Sequence, residues 1–193
     1  MAHEKSVYIL LSDTGTLFTR LIRLYTKAPY NHASIAFDSE LTEVYSFGRK
    51  RPNNPFIGGF IKENVRSSFF RNATCAVYCC KVDLAVYEKM RNQIRDIELN
   101  KCKYRYNLLG LFGILLKRRI HRTNAYFCSQ FVAWLFEQSG ASLVGKCPSM
   151  TTPCDLEKSE KVQLIYTGEL YDYYLDNQGH SASINHPNTI LPA

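Results

Sequence analysis

No stretch of this sequence is long and apolar enough to cross a bilayer as a helix. The longest apolar run, Leu108 to Leu116, is about half of what a spanning helix needs. The amino terminus passes from Met1-Ala2-His3-Glu4-Lys5 straight into the short run Val7 to Leu11. That run is too short for a secretory leader and no small-residue cleavage site follows it, so a cytoplasmic protein is expected. No internal unit recurs and no glycine period is present, which excludes solenoids, propellers and collagen. A G-x-S-x-G elbow is missing, and with it the usual signature of a serine hydrolase. Phe56-Ile57-Gly58-Gly59-Phe60 has glycines but not the lysine and helix of a phosphate-binding loop, and it reads as part of a Pro-, Asn- and Gly-rich loop over 49–60.

The 193 residues include seven cysteines and no C-x-x-C pair. An odd number cannot pair completely, and a reducing compartment keeps the thiols free. Cys75, Cys79 and Cys80 cluster within an apolar strand pattern and read as small buried hydrophobes. A metal site would need a second liganding pair, and only His121 is near enough in type to be considered; no metal is expected. The net charge of +7 divides into +11 over residues 1–122 and −4 over 123–193. The cations are scattered, with runs no longer than Arg49-Lys50-Arg51 and Lys117-Arg118-Arg119. They read as a solvated basic face, and no nucleic-acid motif accompanies them.

With 46% hydrophobic residues, the chain can bury a core of its own. The patterning predicts one domain over residues 1–176 and a loose polar tail over 177–193. A strand over 6–11 precedes a helix over 16–25, and strands over 33–37 and 42–47 form a hairpin. A strand over 73–82 leads to a helix capped at Asp83, with Val86, Met90, Ile94 and Ile97 on one side. A second helix runs over 126–139 and stops at Gly140. Thr152-Pro153 starts a short helix, and a strand covers 162–166. Blocks of strands and helices predict an α+β fold. The run Leu108 to Leu116 reads as a buried segment leading toward the second helix, with shallow contact to an anionic membrane as the alternative.

Two segments combine reactive residues with informative positions. In Asn31-His32-Ala33-Ser34-Ile35-Ala36-Phe37, His32 opens a strand and shares a face with Ser34 and Ala36, whose small side chains leave the imidazole room. In Tyr126-Phe127-Cys128-Ser129-Gln130-Phe131, Cys128 lies in the first turn of an apolar helix. Free N–H groups and the positive end of the helix dipole there favour thiolate over thiol. A histidine beside it would lower the thiol pKa further and relay protons.

Together these segments resemble the permuted branch of the NlpC-type papain-like amidohydrolases. His32 comes 96 residues before Cys128, the reverse of the usual papain-like order, and Ser12-Asp13-Thr14-Gly15 and Thr152-Pro153 fit the same outline. The resemblance implies a papain-like fold with a small antiparallel sheet packed against the cysteine-bearing helix. It implies a cysteine hydrolase acting on a small peptide, amide or acyl-ester substrate, with Cys128 as nucleophile, His32 as base and acid, and no cofactor. A related group, the lecithin:retinol acyltransferase-like enzymes, gives the alternative of a lipid acyltransferase or phospholipase on the same pair. A non-catalytic binding module on this scaffold is the alternative outside enzymes. Members of the permuted branch often carry a glutamate near the end of the hairpin's second strand to orient the histidine. Ser46 lies closest to that place, and Glu43 is the only carboxylate on the strand. An even-numbered turn would bring Glu43 to the His32 side, so the third role is open between them.

Overall fold

The computed structural model describes residues 4–13, 28–51, 54–120 and 122–175. The helix expected over 16–25, His121 and the tail from Asn177 lie outside them. In chain order the elements are β1 (Glu4–Asp13), β2 (His32–Ala36), β3 (Val44–Arg51), β4 (Asn54–Glu63), β5 (Thr74–Asp83), α1 (Leu84–Leu99), β6 (Arg105–Tyr106), α2 (Leu108–Leu115), β7 (Ala125–Tyr126), α3 (Cys128–Ser139), α4 (Pro153–Glu157) and β8 (Gln163–Glu169). Among the described residues, six strands form one antiparallel sheet in the order β4-β3-β2-β1-β5-β8. The molecule is therefore α+β.

The sheet is covered on both faces, which explains why β1 reads as a continuous apolar run rather than an alternating one. Val7, Ile9, Leu11, Ile35, Tyr45, Phe47 and Phe60 face α1 and α3, meeting Met90, Ile94, Phe131, Leu135 and Phe136. Leu10, Ala36, Val44, Cys75 and Val77 face the other way, onto Val65, Phe70, Leu170 and Tyr173. Residue α3 Phe131 closes the first layer, with its ring centroid 5.0 Å from Phe47 and 5.9 Å from Phe60. This packing fixes the cysteine-bearing helix against the sheet.

The expected hairpin, the strand before Leu84 and the late strand are all present, within a few residues of their predicted ends. Asp83 stands at the N-cap of α1 but makes no side-chain capping bond. Thr152 caps α4, its hydroxyl accepting from the Asp155 N–H while Asp155 accepts from the Thr152 N–H. Gly140 ends α3 at φ 94°, in the left-handed region that glycine tolerates best. The α3 helix starts at Cys128 rather than at residue 126, because Ala125-Tyr126 pairs in parallel with Arg105-Tyr106 instead.

The loop expected over 49–60 is a correction. It is the end of β3 and most of β4, paired antiparallel through Phe47↔Phe60 and Gly48↔Gly59. Turn-type residues and a Gly-Gly pair hide the strand, but the glycine has a packing reason. A Cβ at Gly58 would lie 2.7 Å from the Gly48 carbonyl oxygen and 2.7 Å from Tyr106 Cβ, so close crossing by β6 requires its absence. The run Leu108 to Leu116 is only partly buried, with Leu109, Phe112 and Leu116 exposed. Among the described residues no helix is long and apolar enough to cross a membrane.

Phe47 is fully buried and its ring meets those of Phe60, Tyr104, Tyr126 and Phe131. Phe47→Ala is expected to lower the unfolding free energy by about 3–5 kcal/mol, read from the midpoint of urea denaturation.

Candidate active site

Strand register decides which polar groups meet. The pairs Ile35↔Tyr45 and Ala36↔Val44, continued along the strands, bring Ser46 alongside Ser34 and Gly48 alongside His32. Val44↔Glu63 then puts Glu63, the last residue of β4, on the same face. Gly48 stands beside the ring, where a Cβ would meet His32 Cε1 at an ordinary contact distance of 3.7 Å and Ile61 Cδ1 more tightly at 3.0 Å. The segment before His32 is clamped as well. The Asn31 N–H donates to the Ser12 carbonyl at 3.3 Å, and Asn31 Nδ2 donates to Asp13 Oδ1 at 3.1 Å.

Glu63 is the centre of this face. Its Oε1 lies 2.6 Å from His32 Nε2 and accepts from Ser46 Oγ at 2.5 Å, while Oε2 accepts from Ser34 Oγ at 2.8 Å. Its side chain is only 3% exposed. Burial alone would push such a carboxyl up. The His32 charge and the bonds from His32, Ser46 and Ser34 outweigh burial and hold it below the usual carboxylate range. Because an ionised carboxylate only accepts, Nε2 carries a proton and donates. Burial also works against a charged imidazole at His32. The Glu63 carboxylate and the Cys128 sulfur overcome that penalty and raise the His32 pKa.

Cys128 begins α3, behind Phe127 in extended conformation. The residue is 5% exposed, and its sulfur sits beside the His32 side chain and the backbone N–H groups of Ala33 and Ser129. With Nε2 occupied by Glu63, Nδ1 is the ring nitrogen left to meet the sulfur. Burial opposes the thiolate, but the His32 bond and charge and the two N–H donors lower the Cys128 pKa. The contrast with other buried cysteines is direct. Burial pushes the Cys75 thiol up to about 12 and the Cys80 thiol up to about 11. Cys128 and His32 thus favour a thiolate–imidazolium pair.

The end of the helix is fixed by neighbours. Ser129 Oγ donates to the Thr151 carbonyl at 2.8 Å, and Gln130 Oε1 accepts from Phe127 N–H and Asn107 Nδ2, both at 3.4 Å. Of the residues singled out in the sequence, Cys128, His32 and Ser46 come together. Glu43 does not. It lies just before β3, where its carbonyl accepts from the Phe37 N–H at 3.3 Å, and its carboxylate is paired with Arg91 of α1. The carboxylate against His32 is Glu63, which sequence reasoning missed because its strand read as loop. Among the described residues no group of His, Cys, Asp and Glu could hold a metal ion.

No protein-family profile, curated protein or solved structure matches the chain.

Glu63→Gln keeps the shape of the side chain and removes its charge. The His32 pKa should then fall, the ion pair weaken, and the onset of Cys128 alkylation by iodoacetamide move up by about one pH unit or more. Ser46→Ala should move it in the same direction by less, and Glu43→Gln should leave it unchanged. Alkylation rate against pH, with peptide mass spectrometry to isolate Cys128, reads all three.

Proposed function

We propose that this chain is a cysteine hydrolase of the permuted NlpC-type papain-like kind, cleaving an amide, peptide or ester bond. One observation carries the reading: a single imidazole holds a buried carboxylate at Nε2 and lies beside a thiol at a helix N-terminus, whose charge it favours. A core cysteine has no need of that arrangement, as Cys75 and Cys80 illustrate. The order of His32 before Cys128 and the antiparallel sheet against the Cys128 helix are in keeping with the permuted outline.

In this mechanism the Cys128 thiolate attacks the substrate carbonyl carbon. The carbonyl π electrons move to oxygen, and the resulting oxyanion takes a hydrogen bond from the Cys128 backbone N–H, which has no partner inside its own helix. The imidazolium at His32 Nδ1 then gives its proton to the departing nitrogen or oxygen as the bond to carbon breaks. A thioester remains on Cys128. Nδ1, now neutral, takes a proton from water as the hydroxyl adds to the thioester carbonyl. Collapse expels the thiolate and releases the acid, restoring the starting pair. Glu63 stays ionised throughout, holding Nε2–H and stabilising positive charge on the ring. It acts through His32 and is a positioning residue. Ser34 and Ser46 hold Glu63 in turn.

A panel of chromogenic amides and esters tests the proposal. Turnover of any member should disappear in Cys128→Ala and fall by about 10²–10⁴-fold in His32→Ala. Rapid acid quench of the native chain should trap an adduct heavier by the acyl group on the peptide holding Cys128. The proposal fails if, near pH 6, Cys128 alkylates no faster than the exposed Cys102. It also fails if Cys128→Ala retains the activity.

A further inference from the structure

Helix α2 turns its glycines inward and leaves one row of large apolar residues exposed. Its small residues face the protein: Gly110 and Gly113 are buried, and a Cβ would come within 2.4 Å of Asn107 Nδ2 at the first and 2.6 Å of the Arg118 carbonyl oxygen at the second. Leu108, Leu111 and Ile114 are half-buried, while a second row of large apolar residues faces outward. Leu109 is 53% exposed, Phe112 52% and Leu116, just past the helix, 69%. Spacings of three and four residues put them on one ridge. A water-facing helix normally shows the opposite pattern.

The chain then turns sharply. The Arg118 N–H donates to the Gly113 carbonyl at 2.8 Å and the Lys117 N–H to the Ile114 carbonyl at 3.1 Å, with Lys117 in the left-handed region at φ 53°. This paired bond pattern closes a helix and sends the chain back past it. Lys117, Arg118, Arg119 and Arg122 follow directly, and all four are exposed. The sequence between Glu98 and Glu137 holds seven Lys and Arg and no Asp or Glu, so no carboxylate from this segment offsets them.

We propose that α2 and the basic turn behind it form a shallow docking surface for an anionic lipid bilayer. Leu109, Phe112 and Leu116 enter the boundary between headgroups and acyl chains, and Lys117, Arg118, Arg119 and Arg122 meet the lipid phosphates. The combination selects this occupant. A nucleic acid would use the cations but not a ridge of leucine and phenylalanine. A second copy would bury the ridge but bring two cationic segments together. A bilayer with acidic headgroups satisfies both halves. The surface joins the candidate active site through Asn107, which caps α2 by accepting from Gly110 N–H at 3.0 Å and donates to Gln130, two residues beyond Cys128. The docking surface does not depend on whether Cys128 is catalytic.

Co-sedimentation of the full chain with phosphatidylcholine vesicles, with and without phosphatidylserine, tests it. Binding should require phosphatidylserine and weaken steeply with added salt. Arg118→Gln with Arg119→Gln should lower partitioning by about thirtyfold. Leu109→Ser, Phe112→Ser and Leu116→Ser together should lower it by about tenfold or more. In both variants the far-UV circular dichroism and Cys128 alkylation should match the native chain, separating lost docking from lost folding. Phe112→Trp should add a fluorescence signal that shifts blue on vesicles and is quenched by brominated lipid. Absence of phosphatidylserine-dependent binding overturns the proposal. So does binding that survives the three serine substitutions, a Trp that brominated lipid does not quench, or self-association through the ridge without vesicle binding.

Discussion

A carboxylate removed from water must be surrounded by donors, and the surroundings of Glu63 set the geometry of everything that matters on its face of the sheet. Three side chains donate to its two oxygens: His32, Ser34 and Ser46. They come from two adjacent strands, so the carboxylate staples β4 across β3 to β2. An unpaired buried carboxylate would neutralise itself or destabilise the fold. With its donors in place it stays ionised, and the ionised form in turn fixes the His32 tautomer and ring orientation. Removing the imidazole partner would leave a buried charge short of a donor, so structure and site depend on the same contact.

The sheet and the helix contribute different parts of one electrostatic arrangement. Strands supply rigid spacing, because a residue's face is set by register and cannot drift without turning a whole strand over. Helix α3 supplies direction, since its first N–H groups point at whatever precedes it. The aromatic layer of Phe47, Phe60 and Phe131 locks the two together. The sulfur at the start of α3 is thereby held against the ring at the start of β2, while for Cys75 and Cys80, two strands away in β5, burial is the largest influence. The opposite pKa directions of these thiols follow from position, not residue type.

His32 and Cys128 were legible in the sequence because each occupies the end of an element whose periodicity is strong. Small residues after His32 and the apolar face after Cys128 are local signals, readable within one turn or one strand. Glu63 was not legible for the opposite reason. Its partnership rests on register across three strands, and the strand that carries it opens with turn-type residues and a Gly-Gly pair. Gly58 answers to Tyr106, far along the chain, and no local pattern announces that crossing. Glu43, just before β3, and Ser46 within it are three residues apart and take different partners, Arg91 and Glu63. Only the pairing of Ala36 with Val44 decides between them. Ser46 proves to touch the orienting carboxylate rather than to replace it.

The same distinction between local pattern and long-range packing explains α2. Its composition is that of a buried segment, and a sequence window sees only the composition. What turns the leucines outward is the pair of inward glycines, each pressed by an atom that would clash with a methyl group. Gly110 meets the Asn107 side chain at the helix's own N-cap and Gly113 the Arg118 carbonyl of the turn that follows, while Leu109, Phe112 and Leu116 stay exposed to water. An ordinary core would reverse that choice and gain the burial of three large residues, each contributing about 1.5–3 kcal/mol. Exposure becomes favourable once the ridge has an apolar medium to enter, and the cations behind it select one whose surface is negative. Asn107 links the first turn of that helix to Gln130 of the cysteine helix. A bilayer that holds the ridge would therefore also hold the Cys128 end of the molecule close to its surface.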